Sequence, residues 1–235
     1  MHSHFNIAGT QFPLLEETQV LAGKAVRLLL VPNGPGELDR IVQVRGIQEQ
    51  FWPYWLEDWT SSAGLAEVLD REDSSTWSGK VLDLGCGAGV LSAWMRVRFG
   101  IDPISCDFNF DACRLAALNV GRNGTQTRSG KGKVVCADLR AFPTKAEFGV
   151  ILAGDILYAK ENHTALLTFL SRHLAPRGLA FLADPGRSAA EGFSLAAGLA
   201  GFQVETRRIP QRVGNGSVQV YKLNRHFLRM DASAG

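Results

Sequence analysis

Aspartates that close apolar runs are the residues of this chain best placed to do chemistry. Val81-Leu82-Asp83-Leu84 leads into Gly85-Cys86-Gly87-Ala88-Gly89, and an apolar helical pattern starts at Val90-Leu91. Pro103-Ile104-Ser105-Cys106-Asp107 and Lys133-Val134-Val135-Cys136-Ala137-Asp138-Leu139 end the same way, and Phe148-Gly149-Val150-Ile151-Leu152-Ala153 runs into Gly154-Asp155-Ile156-Leu157-Tyr158. Glycine lacks Cβ, so the loop after Asp83 accepts positive φ and lets a ligand lie on the backbone while helix-start N–H groups face the same space. A Gly-x-Gly-x-Gly turn also serves as a plain strand-to-helix connection. The dinucleotide fingerprint fails, because its third glycine falls on Val90. Asp107 lies about 20 residues past the glycines, the spacing at which an acid meets ribose hydroxyls in a βαβ nucleotide site.

These acids need a parallel sheet to bring them to one edge. The strands above, with Leu179–Asp184, Phe202–Thr206 and Ser217–Leu223, make seven. Helical patterns at Val90–Phe99, Asp111–Asn119, Thr164–Leu174 and Phe193–Leu199 alternate with them. The expected fold is therefore α/β, a doubly wound, mostly parallel seven-stranded sheet. Upstream, Lys24–Val31 and Arg40–Arg45 flank the turn-rich Pro32–Gly36 and predict an N-terminal β-hairpin. The domain reading is an extension over 1–49 and one main domain over 50–235. Between them Phe51–Trp59 holds three of the five tryptophans, either a plug on the core or a wall for a flat, cationic ligand. Ser61 or Ser62 is expected to cap the helix that follows.

A chain of 235 residues with 46% hydrophobic content buries one sizeable core. The formal charge of +2 sets up no strong field toward nucleic acid or membrane. The four cysteines form no C-x-x-C pair and read as small buried residues in a reducing compartment, not as a zinc site or disulfide frame. No window offers the ~18 apolar residues of a membrane span. A cytoplasmic protein without a metal centre is expected.

Asp83–Gly89, Asp107 and Asp138 together resemble the first motifs of the class I S-adenosylmethionine-dependent methyltransferases. That resemblance implies S-adenosylmethionine as cofactor. Gly85 and Gly87 would back its methionine part, Asp107 would hold the ribose, and Asp138 with Leu139 would meet the adenine. Further cofactor contacts are implied at Trp59, Asp83, Cys86, Phe108 and Ala153. Asp155-Ile156-Leu157-Tyr158 after the fourth strand is similar to the Asp-x-x-Tyr motif of the seven-β-strand protein lysine methyltransferases called family 16. Phe51–Trp55 and Asp184-Pro185-Gly186-Arg187 look most like the branch acting on the β-subunit of electron transfer flavoprotein; the similarity runs from Phe51 to Arg187.

The resemblance implies a protein substrate that presents a lysine, with Asp155 and Tyr158 as the catalytic residues. Asp155 makes chemical sense by itself, since a carboxylate can draw in and orient an amine, and Tyr158 can support that geometry. The alternatives are a small-molecule N-methyltransferase with a closed acceptor pocket and a non-catalytic S-adenosylmethionine-binding protein. Nucleic acid is not expected as a partner, because the Asn/Asp-Pro-Pro-aromatic run that holds a flipped base is missing after the fourth strand. The basic C-terminal third, with Arg207, Arg208, Lys222 and Arg225, reads as a solvated face or as a dock for an acidic partner or nucleic acid.

Overall fold

The computed structural model describes residues 4–7, 10–32, 54–56, 60–124, 132–211 and 215–225. Two antiparallel hairpins come first: β1 (His4–Ile7) pairs with β2 (Thr10–Pro13), and β3 (Leu15–Leu21) with β4 (Lys24–Leu30). Ala22 and Gly23, at φ 43° and 74°, form the two-residue turn whose twist suits a tight hairpin. The sequence led us to pair Lys24–Val31 with Arg40–Arg45, but among the described residues its partner is Leu15–Leu21. That strand is exposed along nearly its whole length, so Leu-Glu-Glu-Thr-Gln-Val-Leu carries no apolar alternation to read. Residues 40–45 lie outside the described residues.

The main sheet consists of β5 (Val81–Leu84), β6 (Ile104–Asp107), β7 (Lys133–Cys136), β8 (Phe148–Gly154), β9 (Leu174–Asp184), β10 (Phe202–Pro210) and β11 (Ser217–Arg225). Their spatial order is β7-β6-β5-β8-β9-β11-β10. β11 runs antiparallel to both neighbours and the other pairings are parallel, which bears out the expected fold. Helices α1 (Thr60–Leu69), α2 (Val90–Phe99), α3 (Phe110–Arg122), α4 (Glu161–His173) and α5 (Phe193–Leu199) fill the connections and the approach to β5. Pro176 lies within β9, opposite a register shift in β8. Among the described residues no helix is long and apolar enough to cross a membrane.

Strand alternation sends side chains to two cores. Ile151, Ala153, Ala180 and Leu182 join α4 and α5 on one face. Val150, Leu152, Phe181 and Ala183 join α1 and α2 on the other, where Leu21, Val26 and Leu28 of the second hairpin enter the same cluster. Two asparagines one turn apart, Asn119 on α3 and Asn123 capping its C-terminus, fasten that hairpin. Asn119 accepts from the Leu29 N–H and donates to the Leu29 and Ala88 carbonyls, and Asn123 does the same for the N–H and C=O of Arg27. The open edge of β4 thus gains strand-like bonds from a helix, and one of them reaches the glycine loop.

Candidate active site and cofactor groove

Because neighbouring strands are parallel, their final acids share one edge of the sheet. Asp107 and Asp184 end β6 and β9 there, Asp138 and Asp155 follow β7 and β8, and Asp83 lies under the glycine loop after β5. That edge is where open α/β sheets bind ligands.

The glycine loop is held from below. Gly85, Gly87 and Gly89 sit at φ 69°, 51° and 76°. The N–H groups of Gly85 and Cys86 both donate to the Cys106 carbonyl, at 2.7 and 2.9 Å. Gly87 N–H donates to Asp107 Oδ2 at 2.9 Å, and Asn109 N–H donates to Asp107 Oδ1. Asp107 is buried, and burial pushes its carboxyl above the ordinary range against those two hydrogen bonds. Phe108 beside it is half exposed.

Asp83 sits deeper. Ser105 Oγ donates to Ser92 Oγ, which donates to Asp83 Oδ2 at 2.7 Å, and burial raises this carboxyl from 3.8 to about 6. Between those values the folded chain holds the proton more tightly than the unfolded one, so stability falls as pH rises from about 4 to about 6 and stays lowered above it. The full penalty is about 3 kcal/mol at neutral pH. Asp83→Asn keeps an acceptor for Ser92 and removes the penalty. It is expected to melt higher than the parent at pH 7.5, with the gap closing by about pH 4 in a calorimetric series; an offset independent of pH would show that the charge is not the cause.

Tyr158 and Asp155, three residues apart, go to different places. The half-exposed Tyr158 leans toward the β6 and β7 side, where burial and the charges of Asp107 and Asp138 raise its phenol while a hydrogen bond with Asn162 opposes them. Arg140 Nη2 donates to Asn162 Oδ1 at 2.6 Å, and the Arg140 N–H is capped by Asp138 Oδ1. Leu139 is half-buried between them. Asp155 instead takes a left-handed backbone, φ 56°, fixed by its N–H donating to the Ala183 carbonyl at 2.8 Å. Its buried carboxylate is gripped from two sides: Arg187 Nε donates to Oδ1 at 2.7 Å and Nη2 to Oδ2 at 2.9 Å. Asp184 Oδ1 in turn accepts from the N–H groups of Gly186 and Arg187, which sets the turn carrying that arginine.

Two close approaches join the β8 loop to its surroundings. A Cβ on Gly154 would lie 3.6 Å from Ser62 Oγ, so the first turn of α1 covers the end of β8. A Cβ on Gly85 would lie 3.6 Å from Ile156 Cδ1, so Ile156 borders the glycine loop.

Of the residues singled out from sequence, Cys86 is buried within the loop and Ala153 is completely buried in the core. Trp59 and most of the aromatic segment lie outside the described residues. Trp55 is not an open wall for a cation; it is buried with Phe5, Ile7 and Ala88, braced edge-to-face by Phe5. Ser61 and Ser62 lie inside the first turn of α1 instead of preceding it. Three cysteines are buried as expected and Cys136 is exposed. Arg187 as the partner of Asp155 was missed, although Asp184-Pro185-Gly186-Arg187 was visible as a motif.

Residues 51–225 match the family described as a methyltransferase domain. The chain belongs to that family. The ribosomal protein L11 methyltransferase of Rhizobium etli is 32% identical over 165 residues, covering 68% of this chain and 53% of that protein. The electron transfer flavoprotein β-subunit lysine methyltransferase of Danio rerio is 27% identical over 183 residues, covering 74% of this chain and 69% of that protein. The chain spans about half the length of the L11 methyltransferases it matches. Among solved structures, the N-methyltransferase NodS of Bradyrhizobium japonicum with S-adenosyl-L-homocysteine has a TM-score of 0.58 at 13% identity, over 80% of this chain and 98% of NodS. That likeness shows the fold.

S-adenosylmethionine, the cofactor of such methyltransferases, carries a sulfonium and an ammonium on an adenosine. The site fits it by chemistry: a glycine cradle open at Gly85, acids along the sheet edge to meet the positive charges and ribose hydroxyls, and the half-exposed rings of Phe108 and Tyr158 for a flat base.

Proposed function

We propose that this chain is an S-adenosylmethionine-dependent protein N-methyltransferase acting on a lysine side chain, related to the family 16 group. The observation that carries the reading is Asp155, a buried carboxylate on a left-handed turn directly after β8, with Ile156 against the glycine loop. Relatives named for methylating ribosomal protein L11 and a lysine of electron transfer flavoprotein support a protein acceptor. We take residues 1–49 as an extension, whose second hairpin braces α3 and the glycine loop, and 50–235 as the catalytic domain.

Bound along the groove, the cofactor supplies an electrophilic methyl carbon on a sulfonium. Gly85 and Gly87 would lie against its methionine part, Asp107 would accept from the ribose hydroxyls, and Phe108, Asp138 and Leu139 would border the adenine. The work left to the protein is alignment and exclusion of water. A lysine amine, with a free pKa of about 10.4, must arrive neutral to attack. Asp155 is the acceptor that would orient it, while Ile156 and the first turn of α1 narrow the space around the end of β8.

The test is incubation of the purified protein with methyl-labelled S-adenosylmethionine and cell extract. Label is expected on a protein band whose acid hydrolysate yields methyllysine. Label confined to the small-molecule fraction, or on a residue other than lysine, would overturn the reading.

A further inference from the structure

Asp155 does not present an open carboxylate to the acceptor. A bare buried carboxylate would attract a lysine ammonium strongly, and would thereby hold it in the protonated form, which has no lone pair for attack. Here both oxygens are engaged by one guanidinium in the planar, two-bonded arrangement that arginine favours. The pair is net neutral. A carboxylate oxygen has two acceptor directions, so each Asp155 oxygen keeps capacity to accept one further N–H after the bond to Arg187.

We propose that Arg187 is a positioning residue for the methyl acceptor: by neutralising Asp155 it lets that carboxylate orient a neutral amine instead of trapping an ammonium. The proton of the incoming lysine leaves to solvent before transfer, and Asp155 accepts from an N–H of the amine, turning its lone pair away from the acid. This rests on the lysine reading above.

The surroundings fit a device fixed in place. Asp184, at the end of β9, spends Oδ1 on the backbone N–H groups of Gly186 and Arg187. It is buried and its carboxyl is raised, first by burial and also by the charge of Asp155. His163 on α4 is buried near Asp184, and burial lowers its imidazole. The first turn of α1 brings Ser62 Oγ and Ser61 Cβ near Gly154, with Leu65 Cδ1 beside them, none of them charged, and Tyr158 is drawn toward Asn162. Among these described neighbours Arg187 is the group that supplies positive charge to Asp155.

The experiment compares the parent, Arg187→Gln and Arg187→Lys, with labelled S-adenosylmethionine and clarified cell extract as acceptor, from about pH 7 to about pH 11, across the titration of a lysine amine. Arg187→Gln is expected to label the acceptor band at least ~10-fold more slowly near neutral pH, with the deficit closing as pH rises, because removing the positive neighbour shifts the amine's titration up by about one unit or more. The extract concentration giving half-maximal labelling should not rise, since the exposed carboxylate holds the ammonium form. Arg187→Lys should follow the parent profile, and the affinity of all three for S-adenosylhomocysteine by calorimetry should agree.

A deficit equal at every pH, a raised half-maximal concentration, or a lysine variant as poor as the glutamine one would overturn the proposal. Lost S-adenosylhomocysteine binding would do so too, by moving Arg187 to the cofactor. If the parent labels no protein, the lysine reading itself falls and takes this inference with it; a labelled parent with an unshifted glutamine variant sinks the inference alone.

Discussion

Asp155→Asn is expected to lower methyl transfer by about 10²-fold or more at every pH while S-adenosylhomocysteine affinity stays within about threefold of the parent. Asparagine has the right shape and tolerates the left-handed backbone that Asp155 adopts at φ 56°, so the turn after β8 survives. Its amide oxygen can still accept from Arg187. The loss falls on charge and acceptor capacity: one oxygen becomes an NH₂, which repels the guanidinium and offers the amine a donor where it needs an acceptor. The stability cost should be about 1 kcal/mol, because the Arg187 side chain is 39% exposed and can turn to water. The two members of the pair are distinguished by pH. Raising it restores the Arg187→Gln enzyme and does nothing for Asp155→Asn, since no amount of deprotonation replaces a missing acceptor. Single-turnover measurement with saturating cofactor reads the chemical step directly. Full turnover in Asp155→Asn would remove this residue from the mechanism.

The seven strands of the main sheet and its mostly parallel character were legible because each buried strand announced itself twice, as an apolar run and as the acid or turn that ended it. Asp107 could be placed by counting residues past the glycines and Asp138 as the acid that closes the next apolar run, since a parallel sheet brings successive strand ends to one edge. What escaped was whatever depended on partners distant in the chain. β3 is exposed and has no apolar rhythm. Asn119 and Asn123 look like polar residues near the end of a helix until β4, some 90 residues earlier in the chain, is laid against them. The aromatic segment could be read as plug or as wall, and at Trp55 the plug holds because Phe5 and Ala88 close around it. The Asp155–Arg187 pair spans 32 positions and two strand ends. The Asp-x-x-Tyr motif groups two residues that the left-handed turn at Asp155 separates, one facing Arg187 and the other Asn162. Local spacing finds the strand ends, and only the fold decides which side chains meet across them.

Gly89→Ala is expected to destabilise the protein by about 3–4 kcal/mol, lowering the melting temperature by roughly 10 °C, whereas Gly85→Ala costs about 1–2 kcal/mol but weakens S-adenosylhomocysteine binding at least ~10-fold. Both glycines have positive φ, 76° and 69°, and so share the penalty of placing a side chain on a left-handed backbone. They differ in what stands in front of them. A Cβ on Gly89 would lie 2.8 Å from Ala116 Cα and 2.9 Å from its Cβ, atoms of the α3 helix that cannot move aside without taking the helix along. Displacing α3 would loosen Asn119 from Leu29 and Ala88, so the hairpin and the glycine loop would lose their common anchor. A Cβ on Gly85 meets only the Ile156 side chain, with Cδ1 at 3.6 Å, an ordinary contact, and otherwise faces open space. Melting curves and calorimetry on the two variants therefore separate a glycine required by packing from one required by a ligand. If Gly85→Ala bound S-adenosylhomocysteine as tightly as the parent, the cofactor would not lie against that turn, and the groove would have to be sought elsewhere along the sheet edge.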